Sequence, residues 1–274
     1  MKSELLTFWD HIDVLRKVLF RILIAITLLA VVAFCFKELL FGMVLAPRNP
    51  DFITFRLLNQ LATHSSLSFL HFQDTDVQII NTQLTAQFMI HIKVSCYVAV
   101  VGASPYIIYQ IFRFVSPALY QKERLWALRL IPAFFGLFFI GVLLSYFIIF
   151  PFSFRFLANY QVDTSVQNLF NLNSYIDTFL LLTLLLGIVF EIPVMAWFLS
   201  KFGLIKPALM KKYRKYATVI VLIVAAIITP TTDIFTLLLV TLPILLLYEL
   251  SILIVKKQYR YNNQEKLTSI TAKL

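Results

Sequence analysis

Glu191 is the residue of this chain whose placement asks most plainly for chemistry. It sits in the stretch LLLGIVFEIP (184–193), well inside a long apolar run. A carboxylate at the centre of a bilayer costs about 2.5–3.5 kcal/mol on insertion scales. It should face a wet cavity or a partner, or be protonated, and two readings of its role follow. Either Glu191 faces a cavity used by a substrate or partner, or it bonds a neighbouring helix and fixes packing. Pro193, two residues on, removes a backbone donor and favours a bend beside it. Glu123 raises a second question, because it stands in FVSPALYQKER (114–124) among Arg113, Lys122 and Arg124. An acid there contributes nothing to membrane topology. It pairs either with a cation on a partner or with one of those local bases. Asp233 follows Pro230 at once, and Glu249 lies near the end of the last apolar run, within reach of lipid headgroups. Lys93 is close enough to the start of its run to snorkel.

Other chemistry is missing. The sequence has no GxxxxGK[ST] loop, no HExxH and no GxSxG. His11, His64, His71 and His91 are scattered along the chain. No metal, no cofactor and no enzymatic activity are expected.

The elements that must position these residues are set by composition. The 274 residues are 60% hydrophobic and only 14% charged, against about 25% charged for an average soluble domain. So much apolar surface cannot be hidden inside one water-soluble globule of this size. A soluble enzyme, a disordered chain and a secreted disulfide scaffold are excluded, and an all-α integral membrane protein remains. Apolar runs place six spans at about 18–36, 88–112, 131–152, 175–199, 216–229 and 234–255. The runs are continuous rather than short and alternating, which rejects a membrane β-barrel, and no sheet is needed. Cys35 and Cys96 fall in apolar runs and read as small packing residues.

Charge gives an orientation. Of the 24 Lys and Arg, 18 lie in the N-terminal tail, the 113–130 and 200–215 connections and the tail after Val255. Four lie in the opposite connections, and Arg21 and Lys93 lie within spans. That bias puts both termini in the cytoplasm and reads the +10 net charge as loop chemistry rather than nucleic-acid binding. The basic run KKYRK (211–215) sets topology and meets anionic lipid. Residues 1–255 are expected to form one membrane domain, with 256–274 a basic cytoplasmic tail. The 37–85 segment, with Pro47, Pro50 and an amphipathic patch at 52–61, is too long for a turn. It reads as a cap on the bundle or as a rim around a cavity. The fifth run has about 14 residues, and the sixth is apolar without interruption over only about 15. The last two spans are therefore expected to form a short hairpin that locally thins the bilayer. A small-solute secondary transporter is the alternative class, although no internal repeat of the transporter kind is present.

Taken in order, several motifs resemble the TatC family, the multispanning receptor subunit of the twin-arginine protein translocase. They are HIDVLR (11–16), Ala46-Pro47, Tyr109-Gln110 leading into FVSPALY (114–120) with Glu123-Arg124, FEIPV (190–194), TPTTD (229–233), Leu242-Pro243 and Tyr248-Glu249. The resemblance covers about residues 8–255. It implies six helices in a concave bundle in the bacterial cytoplasmic (inner) membrane. It also implies export of folded proteins driven by the proton motive force, in an oligomeric complex with single-span TatA- and TatB-type partners. The implied signal-peptide contacts are Asp13, Arg16, Phe114, Pro117, Leu119 and Glu123, with bidentate carboxylates meeting the paired guanidinium groups. Glu191, Pro193, Asp233 and Glu249 would serve the intramembrane and partner side, and Pro47 the outside rim. Two positions depart from the pattern. The family's HLxELR acid is Val14 here, with Asp13 one residue earlier, and a Gln often found four residues after the counterpart of Asp233 is Leu237.

Overall fold

The computed structural model describes residues 8–64, 77–115, 121–161, 163, 168–229 and 233–271. The backbone is helical nearly throughout, as it must be where lipid offers no hydrogen bonds. In chain order the helices are α1 (Phe8–Cys35), α2 (Lys37–Leu45), a 3₁₀ turn (Ala46–Arg48), α3 (Ile53–His64), α4 (Ala86–Val115), α5 (Gln121–Leu144), a π turn (Ser145–Ile149), α6 (Phe150–Asn159), α7 (Leu172–Val189), α8 (Ile192–Lys201), α9 (Pro207–Lys212), α10 (Arg214–Ile228) and α11 (Ile234–Thr271). Among the described residues, five stretches are long and apolar enough to cross a membrane: His11–Cys35, Ala86–Phe114, Leu130–Asn159, Leu172–Lys201 and Ile234–Arg260. α10 has 15 residues, roughly 22 Å at 1.5 Å each.

The chain divides into two compact units. The first, residues 1–42 and 83–136, is built on α1 lying antiparallel along α4. His11 at one end of α1 stacks on Phe114 at 4.4 Å between ring centroids, and Phe34 at the other end stacks on His91 at 3.9 Å. Ile90, Val94, Ala99 and Ala103 are buried along α4, whereas Leu19, Leu23 and Leu28 of α1 are exposed. In a membrane, that exposed apolar face meets lipid.

The second unit holds residues 43–82 and 137–274. Here the π turn replaces one regular turn of the third apolar run, and it becomes an anchor. Thr54 donates its hydroxyl hydrogen bond to the Phe147 carbonyl, and the Tyr146 hydroxyl donates to the Met43 carbonyl at 2.8 Å. The Tyr175 hydroxyl donates to the Val44 carbonyl at 3.0 Å. Residues 43–64 thus have structure of their own, held by side-chain hydroxyl donors on backbone acceptors. α3 is amphipathic, with Phe55 buried and Arg56 exposed. α8, α9 and α11 share a buried cluster of Ala196, Met210, Ile252 and Val255.

Five sequence expectations change. A small sheet does form, a two-residue parallel pair with Ile79 opposite Phe170 and Ile80 opposite Asn171. It lies in connections, where extended backbone lying side by side satisfies its own polar groups. The fourth run is two helices, broken at Phe190–Glu191. The last helix is not short, since α11 runs 38 residues with Pro243 inside it and carries Lys256–Arg260 on the same helix. The expected shortness attaches to α10 alone. Arg155, assigned from sequence to a connection, is 3% exposed within α6, its guanidinium carbon 4.7 Å from the Phe55 ring centroid. Cys35 and Cys96 are free and on exposed helix faces rather than packed.

Removing the Tyr175 hydroxyl tests this anchoring. Tyr175→Phe leaves the Val44 carbonyl without its donor and is expected to destabilise the detergent-solubilised protein by about 0.5–1.5 kcal/mol, seen as a lower Tm. Tyr160→Phe, at an exposed side chain, should leave Tm unchanged.

Candidate functional site

The break that carries Glu191 is written in the local sequence. Phe190 N–H still donates to the Leu186 carbonyl at 3.0 Å, four residues back, but Glu191 N–H turns to the Ile188 carbonyl at 3.1 Å, three back. Pro193 has no N–H to continue the ladder, and its ring excludes the carbonyl four residues earlier. A new helix starts instead. Glu191 stands at its N-cap, and Pro193 takes an early position where a missing donor costs nothing. The Glu191 carbonyl accepts from Met195 N–H at 2.9 Å, so the second helix begins at once.

The Glu191 side chain does not cap that helix. Both carboxylate oxygens are buried, and neither accepts a hydrogen bond among the described residues. A buried carboxylate without donors is costly unless something supplies them. Nothing described here bonds Glu191 to a neighbouring helix, so the packing role considered for it finds no partner. What the arrangement can do is receive a donor or a cation from outside the chain.

The other site residues divide. Asp13 and Arg16 are exposed on α1, one turn apart, and Arg16 lies 5.7 Å from the Phe20 ring centroid. The same stretch meets Phe114 through the stacked His11 ring. Two pieces of the expected peptide-binding set, the start of α1 and the end of α4, are thereby neighbours. Pro117 and Leu119 fall outside the described residues. Glu123 falls in the first turn of α5, with its side chain outside the description.

Asp233 and Glu249 have roles inside the chain. The Asp233 carboxylate accepts from Thr236 N–H at 2.7 Å, which makes it the N-cap of α11. The signal was legible, an Asp directly before an apolar helical run. Glu249 forms an ion pair with Arg214 that ties α11 to α10, and beside it the Tyr248 hydroxyl donates to the Met210 carbonyl at 2.9 Å. Pro47 is buried in the 3₁₀ turn. Among the described residues, no group of three or more His, Cys, Asp or Glu is placed to hold a metal ion.

Sequence reasoning passed over the glycines next to Glu191. A Cβ on Gly141 of α5 would lie 2.8 Å from the Leu186 carbonyl oxygen and 2.9 Å from both Gly187 Cα and Phe190 Cβ. The only sequence signal was a Gly in each of two apolar runs.

Comparison with known proteins gives a consistent picture. The family model described as "Sec-independent protein translocase protein (TatC)" matches residues 10–243. The TatC of Blattabacterium sp. subsp. Periplaneta americana is 36% identical over 260 residues, covering 93% of this chain and 97% of that protein. TatCy of Bacillus subtilis is 40% identical over 177 residues, 65% of this chain and 69% of its own length. A crystal structure described as twin arginine translocase receptor TatC superposes with a TM-score of 0.71 at 32% identity, covering 90% of this chain and 99% of that one. A second crystal structure of that receptor, in the detergent DDM, gives 0.72 with the same coverage.

The capping role of Asp233 has a direct check. Asp233→Ala is expected to lower stability by about 0.5–2 kcal/mol, read as a drop in Tm of the purified protein. Asp233→Asn, which keeps an acceptor, should retain most of it.

Proposed function

The chain belongs to the TatC family of Sec-independent protein translocase proteins, and from that premise we propose that it is the signal-peptide receptor and core subunit of a twin-arginine translocase. As a family member with several apolar helices, it is a multi-pass membrane component of protein transport. The finer reading has six spans, α10 included, with both termini in the cytoplasm of a bacterial inner membrane. Folded cargo with paired-arginine leaders is exported at the expense of the proton motive force. TatA- and TatB-type single-span proteins dock beside α10 and α11, where the 15 residues of α10 fall short of a bilayer core of about 30 Å and thin it locally.

Recognition begins at the cytoplasmic face. Glu123 pairs with the leader's guanidinium groups, since a planar fork of donors matches a carboxylate edge. Asp13, exposed one residue before the family's acidic position, supplies a second negative charge from α1. Phe114, Pro117 and Leu119 offer apolar contact to the residues that follow, and Arg16 flanks them. The apolar part of the leader, or a partner helix, then reaches the broken fourth span, where Glu191 accepts a hydrogen bond or pairs with a cation that it lacks among the described residues. The observation that carries this is the Glu191 carboxylate, with both oxygens buried and no donor among the described residues. A small-solute transporter gains no support from the family match.

The test is export of a folded reporter with a twin-arginine leader, in a strain that lacks its own receptor and expresses this chain. Wild type is expected to restore export. Glu191→Ala should reduce it at least tenfold with normal membrane levels of the chain, and full retention would remove Glu191 from the mechanism. Recognition is read separately by crosslinking a leader peptide to the 113–124 loop. The yield should fall several-fold for Glu123→Ala, and for a leader whose arginines are replaced by lysines. Unchanged yields in both cases would contradict the Glu123 assignment.

A further inference from the structure

The position of Glu191 is set by a contact on another helix. α5 presents Phe138, Gly141 and Val142 on one face, the spacing of neighbouring turns, and Ser145 follows in the π turn. α7 presents Thr183, Leu186 and Gly187 with the same spacing, and Phe190 is its C-cap. The two backbones meet at Gly141. The three atoms nearest to its missing Cβ are the Leu186 carbonyl oxygen at 2.8 Å, Gly187 Cα at 2.9 Å and Phe190 Cβ at 2.9 Å. None of these can rotate out of the way, because each is backbone or fixed to it. They are also the atoms from which Glu191 hangs. The Leu186 carbonyl accepts the last regular helical hydrogen bond, from Phe190 N–H, and Glu191 is the next residue.

We propose that Gly141 is a positioning residue for Glu191: the glycine-to-glycine crossing of α5 and α7 fixes where the broken helix presents its carboxylate. The proposal rests on the reading that Glu191 serves translocation. A methyl group at position 141 forces the last turn of α7 away from α5 and carries Glu191 with it. Gly187 is different in kind. A Cβ there would meet the Phe138 ring at 2.8 Å and a Val142 methyl at 3.0 Å. These are side chains, and the ring can be replaced by a smaller group. The geometry therefore gives an asymmetry. Damage from Gly187→Ala is reversed by trimming Phe138, and damage from Gly141→Ala is not, since its obstruction is backbone.

The experiment has two arms on the full chain in membranes. In the first, Cys35 and Cys96 are replaced by Ser, Glu191→Cys supplies a single thiol, and its rate of labelling by a water-soluble maleimide is measured. The rate is expected to change at least threefold with Gly141→Ala and with Gly187→Ala. Adding Phe138→Leu should restore it for Gly187→Ala only. A purely structural loss of folded chain lowers the amount of labelled protein and leaves the rate alone. In the second arm, with Glu191 intact, export of the folded reporter should fall at least fivefold for each glycine variant. Phe138→Leu should recover at least half of it for Gly187→Ala only, and Phe138→Leu alone should export normally. Unchanged labelling rates overturn the proposal. So does normal export by glycine variants in which the rate has changed. If Gly141→Ala does not accumulate, the comparison of Gly187→Ala with its Phe138→Leu double variant decides alone. Full export by Glu191→Ala would instead defeat the underlying reading of Glu191, while the labelling arm still reports whether the crossing positions residue 191.

Discussion

An acidic side chain enclosed by apolar helices constrains everything packed around it. Lipid gives it nothing to bond, and neither do the described side chains near Glu191. Such a group is tolerable where it is protonated, faces water or finds a partner. The helix break at Phe190–Glu191, the proline two residues on and the close crossing at Gly141 all bear on that single placement. A continuous helix through this run would keep its hydrogen-bond ladder but would aim residue 191 differently. The chain gives up local helical regularity at this polar group.

The remainder of the second unit is braced by contacts of its own. Segment 43–82 is tied to the third and fourth runs by hydroxyls reaching backbone carbonyls, from Thr54, Tyr146 and Tyr175. The π turn matters here because a widened turn exposes a carbonyl that a regular helix would use itself. At the other end of the last hairpin, Arg214 and Glu249 join α10 to α11, and Asp233 starts α11 cleanly. Two acids expected on the partner side thus have contacts inside the chain as well. Among the described residues, Glu191 is the acid with both oxygens buried and unbonded.

Much of this could be read from residue order. The apolar runs located the helices, because length and hydropathy dominate in lipid, and Glu191 stood out because a carboxylate is so unfavourable there. The ordered motifs pointed to the family. Three kinds of feature were not legible. Helix continuity was one: Pro193 signalled a bend, but whether the fourth run breaks into two helices depends on which carbonyls find donors. Pairing was another, since Glu249 and Arg214 are 35 residues apart and only the fold brings them together. Close approach was the third, since a glycine in an apolar run looks the same whether it faces lipid or another backbone. Arg155 was misread for a related reason, because α6 extends past the apolar run and buries it against Phe55.

The central claim is that the Glu191 carboxylate is completed from outside the chain. Infrared difference spectroscopy of the protein in bilayers, with and without a twin-arginine leader peptide, tests this most directly. The Glu191 band is assigned by its loss in Glu191→Gln. It should shift when the peptide is added and stay in place when a lysine-substituted leader is added instead. A Glu191 band indifferent to the twin-arginine peptide would contradict the account.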